Sequence, residues 1–306
     1  PGERIQFRKV WHRFTALIDL LLLRNPAMKL LSNRYGKARV RVLKILREGA
    51  THTIKEVDVT VLLKGDFDGS YIAADNSKVV PTDTIKNTVN VLSKEHLGRE
   101  IQRFGLSLGQ HFLKRYEQVA SASIEISAKN WTRMQIDGQP HPHAFLAGSD
   151  AKNWTRIVCT RDSETIESGV RDLLILKSTG SGWAGYPKCE NTTLPETNDR
   201  ILATSFDATW TWSSAPKDYD SADDSILAAM LKAFANNFSP SAQASVFQMA
   251  EAALQACPEI SRVEAKMPNK HYILINTKPF GLENQNEIFV PTDDPFGVIE
   301  GTVVRE

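Results

Sequence analysis

The chain has 306 residues, long enough for one large domain or two of ordinary size, and 42% of them are hydrophobic, as in a typical globular protein. Its 37 lysines and arginines nearly balance its 36 aspartates and glutamates, so no overall field favours nucleic acid or a membrane surface, and we expect the partner to be a small molecule or another copy of the chain. The three cysteines are widely spaced and lie outside any Cys or Cys/His metal motif, which favours a reducing compartment and no structural disulfide.

Residues 1–34 form a basic N-terminal segment whose apolar patch at 20–23 is far too short for a membrane span, which takes about 20 apolar residues. Its composition is loosely that of a transit peptide, although serine is scarce. Alternatively, Met28 is the start of the protein and the preceding residues are an extension. The C-terminal Val303-Val304-Arg305-Glu306 lacks the Ser-Lys-Leu peroxisomal signal. We expect a cytoplasmic protein if the source is bacterial and a peroxisomal one if it is eukaryotic.

Residues 38–47 and 53–64 alternate apolar and polar side chains, and the break at Glu48-Gly49-Ala50 predicts that they form a long hairpin. Turn residues follow, and we expect short strands at 70–73 and 78–80 beside them.

A helix start is predicted after Pro81, where Thr82 or Asp83 can accept hydrogen bonds from free N–H groups of a helix at 84–93. A helix N-terminus also favours an anion in front of it, although taken alone this motif indicates only an N-cap. An apolar stripe at three- and four-residue steps predicts a second helix at 99–116. Strands are then predicted at 119–130 and near 143–146.

The second half repeats this order of elements. We expect a hairpin of residues 154–160 and 171–178, a long Gly-rich insertion, and an extended segment at 206–212. Helices are predicted at 222–236 and 241–256, the second one opened by Ser239-Pro240. Strands at 260–267 and 271–277 would close the unit.

Several short motifs resemble the urate oxidase (uricase) family, and they occur in that family's order over about residue 35 to the C-terminus. No single motif is decisive, but their order and spacing together make coincidence very improbable. They are Tyr35-Gly36-Lys37, Thr82-Asp83-Thr84-Ile85-Lys86-Asn87-Thr88, Asn130-Trp131-Thr132-Arg133, Leu176-Lys177-Ser178-Thr179, Thr192-Thr193-Leu194, Asp199-Arg200-Ile201, Ser241-Ala242-Gln243 and Pro268-Asn269-Lys270-His271.

The resemblance implies an α+β fold in which two tandem ββααββ units carry an antiparallel sheet with helices on one face, the tunnelling fold. We place the first unit at 35–150 and the second at 151–306, after the extension at 1–34. One chain supplies only two units, so closing a barrel requires a second chain. The family resemblance implies a homotetramer of two stacked barrels.

The resemblance also implies a site for urate, a flat anionic purine. Arg200 would offer a guanidinium fork, Gln243 an amide for the opposite edge, and Trp183 a stacking face where the family has Phe. Taken alone, Arg200 is better explained by a surface ion pair with Glu196 at helical spacing than by ligand binding. The remaining expected binding residues are Leu194, Ala242, where the family tends to have Val, Asn269, and Asp83 through its backbone N–H.

Lys37, Thr82 and His271 would form a proton relay, in which Lys37 acts as base through the Thr82 hydroxyl. Taken alone, Lys37 is a solvated charge and His271 a core or edge-strand histidine. Asn269 and Thr82 resemble the pair that holds O2 or water above the ring. In the family, Lys37, Thr82 and Asp83 of one chain serve the pocket of another.

The resemblance thus implies a urate oxidase that uses no cofactor, oxidising urate with O2 and water to 5-hydroxyisourate and hydrogen peroxide. The sequence contains no Gly-x-Gly-x-x-Gly after a strand and no haem or four-Cys motif. Two alternatives remain open. One is a catalytically inactive purine-binding oligomer. The other is a metal-dependent pterin or purine hydrolase, suggested by His141 and His143 on one face of a strand.

Overall fold

The computed structural model of the protein describes residues 28–306, and residues 1–27 lie outside it, so most of the expected N-terminal extension cannot be compared. Residues 28–34 have no regular secondary structure. The strands are β1 (Tyr35–Glu48), β2 (Thr51–Gly65), β3 (Val119–Ile136), β4 (Gln139–Thr160), β5 (Glu164–Lys177), β6 (Leu202–Trp212), β7 (Ile260–Lys266), β8 (Asn269–Leu274), β9 (Phe289–Gly297) and β10 (Glu300–Val304). The α-helices are α1 (Asp68–Ile72), α2 (Thr82–His96), α3 (Ile101–Arg115), α4 (Tyr219–Asn236) and α5 (Ala242–Ala256), and a short 3₁₀ helix spans Lys278–Phe280.

The strands form one antiparallel sheet in the order β1-β2-β3-β4-β5-β6-β7-β10, and β8 pairs with β6 and β9. The same unit therefore occurs twice: two strands, two long helices, then two more strands. The first repeat is β1, β2, α2, α3, β3 and β4, and the second is β5, β6, α4, α5, β7 and β10. This is the α+β architecture that the sequence predicts.

Each repeat has its own hydrophobic core between its helices and the sheet. Phe104, Leu108 and Phe112 of α3 are fully buried against Ile124 and Ile126 of β3. In the second repeat, Met230 and Met249 of the helices pack with Phe206 of β6. The apolar stripe that predicted α3 is the face that covers the sheet, which confirms that prediction.

The hairpin prediction is confirmed, and both strands are longer than expected. Thr51 pairs with Glu48, and the turn between them uses Gly49 at φ 66°. A positive φ is accessible to glycine without strain, which explains how so short a connection reverses the chain.

The short strands predicted beside the turn residues are wrong, whereas the strands predicted near 143–146 and at 154–160 are confirmed but are not separate. Residues 70–73 and 78–80 form no strands, and Asp68–Ile72 is a short helix instead. In the turn that follows, the Ser77 N–H donates a hydrogen bond to the Asp75 carboxylate at 2.9 Å. The strands expected near 143–146 and at 154–160 are one continuous strand, β4. Small and polar residues at 147–153 obscured its alternation, because here β4 is exposed except at Ala151 and carries a bulge opposite Asn130.

The junction between the repeats is the turn at 161–163, whereas the division at residue 150 expected from sequence lies inside β4. The hairpin across this junction is therefore β4 with β5, and it joins the last strand of one repeat to the first strand of the next.

Both predicted helix starts need correction. Helix α2 begins at Thr82 and no side chain caps it, so Thr82 and Asp83 belong to its first turn. Helix α5 is capped by Ser241, whose hydroxyl accepts a hydrogen bond from Ala244 N–H at 3.1 Å, and Pro240 precedes the cap. Sequence motifs locate a helix start only to within a residue or two, as these cases illustrate.

The C-terminal strands differ from the prediction as well. The strands expected at 260–267 and 271–277 exist as β7 and β8 but do not pair with each other. β7 pairs with the unpredicted β10, while β8 pairs with β6 and with the equally unpredicted β9. Pro291 and Pro295 within β9 removed the usual strand signal, since proline cannot donate to a sheet ladder.

Across residues 28–306, none of the helices combines the length and the apolar character that crossing a membrane requires.

Candidate functional site

A cleft of about 390 Å³ opens between the insertion that follows β5 and the β8–β9 hairpin. It brings together five residues expected from sequence, and all of its lining lies in the second repeat. Those five are Trp183, Leu194, Arg200, Asn269 and His271, and the other lining residues include Ser178, Thr197, Asp199, Tyr272 and Phe289.

Arg200 is fixed by Ser181, a fully buried residue of the insertion. Arg200 N–H donates to the Ser181 carbonyl at 2.9 Å, and Nε donates to the Ser181 hydroxyl at 3.4 Å. Partial burial lowers the pKa of Arg200, but a guanidinium stays protonated at any working pH. With Nε held by serine, the terminal amino groups of Arg200 remain available to a ligand in the cleft.

The alternative of a surface ion pair between Arg200 and Glu196 is wrong. Glu196 lies 3.1 Å from Lys188 Nζ and accepts a hydrogen bond from Gly185 N–H at 3.3 Å. Residues 196–200 are not helical, so the four-residue spacing does not bring the two side chains together. Within residues 28–306, no carboxylate lies within ion-pairing distance of Arg200.

Trp183 forms one wall of the cleft. Its backbone exchanges two hydrogen bonds with Thr197, at 2.7 and 2.9 Å. The Arg200 guanidinium carbon lies 5.8 Å from the centre of the indole ring. A flat ligand that contacts the indole would therefore also be within reach of the guanidinium.

Asn269 and His271 stand two residues apart on β8, and both line the cleft. β8 is held on both sides, by Thr204 of β6 opposite Asn269 and by Thr292 of β9 opposite His271. The Thr292 hydroxyl donates to the His271 carbonyl at 3.2 Å. The His271 side chain is exposed to the cleft.

Ala242 and Gln243 do not line this cleft. They open helix α5, where Ala242 is buried and Gln243 is exposed. The start of α5 is nevertheless connected to the segment whose Ser181 holds Arg200. The next residue, Gly182, donates its N–H to the Ser239 carbonyl at 2.9 Å, and the hydroxyls of Ser239 and Ser245 are 2.6 Å apart.

Lys37, Thr82 and Asp83 form a separate group in the first repeat, and none of them lines the cleft of their own chain. The start of α2 is held by Tyr35, whose hydroxyl accepts a hydrogen bond from Val80 N–H at 2.7 Å. Hydrogen bonding and charge from Lys86 lower the pKa of Asp83, with smaller contributions from Asn87 and from Lys37 nearby. Thr82 and Asp83 are exposed.

A bulge in β1 places Lys37 in this group. Ala38 and Arg39 together lie opposite Thr60, and Arg39 has φ 57°. Bulges redirect neighbouring side chains, and this one separates Lys37 from the regular alternation of the strand. The sequence carries no glycine or proline at the bulge that could have indicated it.

Tyr186 is a residue that the sequence interpretation missed. Its ring stacks on Trp183 with the ring centres 5.5 Å apart and the planes 14° apart, and its hydroxyl donates to the Leu194 carbonyl at 2.5 Å. The available signal was Gly185, which has φ 74° and turns the chain so that residue 186 returns over residue 183.

His141 and His143 lie together on β4 with ring centres 4.6 Å apart, and His52 lies 5.9 Å from His143. In the part of the chain that the structure describes, no three His, Cys, Asp or Glu side chains are arranged to hold a metal ion. Cys159, Cys189 and Cys257 are all free thiols.

Comparison with known proteins gives one consistent result. A sequence model of the family described as Uricase matches residues 33–158 and 166–300. The uricase of Cyberlindnera jadinii is 40% identical over 292 residues, covering 90% of this chain and 96% of that protein. The uricase of Aspergillus flavus is 40% identical over 289 residues, covering 89% of this chain and 95% of that protein.

Solved structures agree with the sequence relatives. The crystal structure of uricase from Arthrobacter globiformis has a TM-score of 0.87 at 37% identity, covering 92% of this chain and 96% of that one. The urate oxidase of Bacillus sp. TB-90, in a hyperthermostable variant, has a TM-score of 0.77 at 19% identity and covers 89% of this chain and 99% of that one, which shows the shared fold.

Proposed function

The chain belongs to the uricase family, and we infer from this membership that it is a urate oxidase whose active site is completed by a second copy of the chain. The observation that carries the proposal is the cleft of the second repeat. There an arginine and an indole ring of the insertion after β5 meet an asparagine and a histidine of β8.

Urate would lie flat against Trp183 and present one edge to Arg200. Stacking on an aromatic side chain contributes about 1–3 kcal/mol per base, and the terminal amino groups of Arg200 can donate in parallel to adjacent acceptors on an anionic purine. Gln243 would bind the opposite edge through its carboxamide, with Ala242 beside it and Leu194 as an apolar wall. To contact both Arg200 and Gln243, urate must reach from the cleft to the start of α5. These two regions are linked by the bridge between Ser181, which holds Arg200, and Ser239, which precedes α5.

The partner copy would supply Lys37, Thr82 and Asp83. Two features support this. The three residues are absent from the cleft of their own chain, and the Thr82 and Asp83 side chains are exposed at the N-terminus of α2. A helix N-terminus directs backbone donors and partial positive charge outward, which suits an anionic purine ring next to the Asp83 N–H.

The assembly would be a homotetramer of two stacked barrels, each barrel closed by two chains. The sheet of one chain has β1 at one edge and β10 at the other, so its edge strands are available for pairing. In this arrangement the first repeat of one chain meets the second repeat of another, and every site contains residues of both.

The reaction would proceed without a cofactor. Lys37, acting through the Thr82 hydroxyl with His271, removes a proton from bound urate. The urate dianion transfers two electrons to O2, which takes up two protons and leaves as hydrogen peroxide. Water held by Asn269 and Thr82 adds its hydroxyl group to the oxidised ring and gives 5-hydroxyisourate. The protein contributes orientation, deprotonation and exclusion of competing solvent.

The test is turnover of urate by protein stripped of metal with a chelator. We expect the urate absorbance band to disappear while O2 is consumed and hydrogen peroxide appears in equal amounts. Binding of urate with no O2 uptake in either treated or untreated protein would indicate an inactive purine-binding oligomer. Activity that is lost on chelation and returns with added metal would contradict a cofactor-free reaction.

A further inference from the structure

The loop that carries Trp183 returns on itself within three residues. Gly185, at φ 74°, reverses the chain and places the Tyr186 ring on the Trp183 ring, nearly parallel at 14°. The ring centres are 5.5 Å apart, a separation typical of an offset stack. A neighbour stacked on one face of the indole restricts its tilt while the rest of the ring stays open to a ligand.

The Tyr186 hydroxyl connects this stack to a second lining residue of the same insertion. It donates to the backbone carbonyl of Leu194 at 2.5 Å. Leu194 lines the cleft, as Trp183 does, and is 58% exposed, so its own packing does little to hold it. Tyr186 therefore contacts two lining residues at once, one through its ring and one through its hydroxyl.

Further contacts hold Tyr186 in place. Lys188 Nζ lies 5.8 Å from the centre of the tyrosine ring and 3.1 Å from a Glu196 carboxylate oxygen. Glu196 also accepts the Gly185 N–H at 3.3 Å. The loop is thereby anchored on both sides of the tyrosine.

We propose that Tyr186 is a positioning residue for urate: it holds Leu194 at a fixed position relative to the Trp183 ring and so fixes the shape of the insertion side of the slot for a planar ligand. The inference rests on the proposed function of the cleft. Tyr186 does not line the cleft itself and acts through the two residues that do.

Substitutions separate the two contacts of Tyr186. Tyr186→Phe keeps the stacked ring and removes the hydrogen bond to Leu194, so we expect KM for urate to rise about two- to fivefold with kcat nearly unchanged. Tyr186→Leu removes both contacts, and we expect KM to rise about tenfold or more. Binding of a non-reacting purine analogue should weaken by similar factors. Phenylalanine should thus recover most of the affinity that leucine loses.

Phe247→Leu serves as the matched control, because Phe247 is a 54% exposed aromatic residue on α5 that does not line the cleft. Its KM should match that of the parent protein. All variants are compared as assembled particles with melting temperatures measured in parallel, so that a loss of folding is recognised.

Three outcomes are informative. If the parent protein oxidises urate and Tyr186→Leu retains its KM and analogue affinity, Tyr186 does not position the ligand. A fall in kcat and melting temperature with KM unchanged would likewise contradict the proposal, because it would indicate a purely structural role. If the parent protein neither binds nor oxidises urate, the proposed function fails before Tyr186 is tested.

Discussion

Arg39 and Asp172 occupy the same position in the two repeats, and both have a left-handed backbone, at φ 57° and 58°. Each is the second residue of a bulge, Arg39 in β1 opposite Thr60 and Asp172 in β5 opposite Asp207. Three residues before each of them is a glycine, Gly36 and Gly169. The bulge is therefore a feature of the repeated unit, and only the first copy has a lysine, Lys37, directly after its glycine.

Gly36→Ala should destabilise the protein strongly. A Cβ atom at Gly36 would lie 1.8 Å from the Val61 carbonyl oxygen, and a backbone atom of a buried strand cannot move aside without disturbing the pairing of β1 and β2. We expect a loss of about 3 kcal/mol or more in the free energy of unfolding, measured by urea denaturation.

Gly98→Ala is the control for this experiment, because nothing lies within 4 Å of a Cβ atom added there. It should unfold at nearly the same urea concentration as the parent protein. Equal midpoints for the Gly36 and Gly98 variants would show that the close approach between β1 and β2 is absent in solution.

Arg200→Lys should reduce urate turnover although it keeps the positive charge. An ammonium group cannot donate in parallel to two acceptors as a guanidinium does, and the hydrogen bond from Nε to Ser181 is also lost. We expect kcat/KM to fall about 10- to 100-fold, which corresponds to about 1.4–2.7 kcal/mol.

Arg262→Lys provides the comparison, since Arg262 forms an exposed ion pair with Glu264 on β7, outside the cleft. Its activity should stay close to that of the parent protein. If both replacements reduce kcat/KM equally, the effect is not specific to the position of Arg200.

Two inactive variants should restore each other when assembled together. Thr82→Ala and Arg200→Ala disable residues that we assign to different chains of one site. If refolding mixes the chains randomly at equal amounts, about a quarter of the sites will receive both intact residues and regain activity. The measurement is urate oxidation after joint denaturation and refolding.

The matched control is the double variant Thr82→Ala/Arg200→Ala refolded with Arg200→Ala. This mixture contains no chain with an intact Arg200, so it should remain inactive. Absence of recovery in the first mixture, although mixed particles form, would place both residues of a site in the same chain.

Asp223 should make the stability of the protein depend on pH. Its carboxylate accepts hydrogen bonds from Trp210 Nε1 at 2.8 Å and from Gln102 Nε2 at 2.7 Å, and burial raises its pKa from 3.8 to about 7. The folded protein thus keeps a proton that the unfolded chain loses, so the free energy of unfolding should fall as pH rises from about 4 to about 7.

Asp223→Asn removes this titration. We expect it to stabilise the protein above pH 7 relative to the parent, by up to about 2–4 kcal/mol. The buried Gln102 carbonyl oxygen has no hydrogen-bond partner among the described residues, so Gln102 can turn and accept from the new amide. Asp162→Asn, in the exposed turn between β4 and β5, is the control. The measurement is urea denaturation at pH 5.5 and at pH 8. If Asp223→Asn and the parent protein differ in free energy of unfolding by the same amount at both pH values, Asp223 is not the group that titrates.

Elements whose pattern is set by local burial were predictable from sequence. The β1–β2 hairpin and helix α3 follow directly from apolar periodicity, because one face of each packs against a single core. Both ends of β4 were predicted as strands, but the continuity of β4 was not predictable, since its middle is mostly exposed and lacks alternation. β9 was missed for a different reason: it is held by pairing with β8, and its prolines argue against a strand.

The expected site residues came from family motifs, and physical patterns alone would not have selected them. Arg200 and Glu196 have a spacing that suggests an ion pair. Only the fold shows that Glu196 pairs with Lys188 instead. Tyr186 had no motif at all, because its role depends on a turn and a distant carbonyl.

β4 has 22 residues and contributes side chains to both cores, Ile157 to the first and Ala151 to the second. Ile166 of β5 packs against both cores, and Gln102 of the first repeat bonds to Ser168 and Asp223 of the second. Because of these shared contacts, neither repeat can unfold without exposing part of the other repeat's hydrophobic core. The two repeats thus form a single cooperative body, which should melt in one calorimetric transition and should not fold when expressed as two separate pieces.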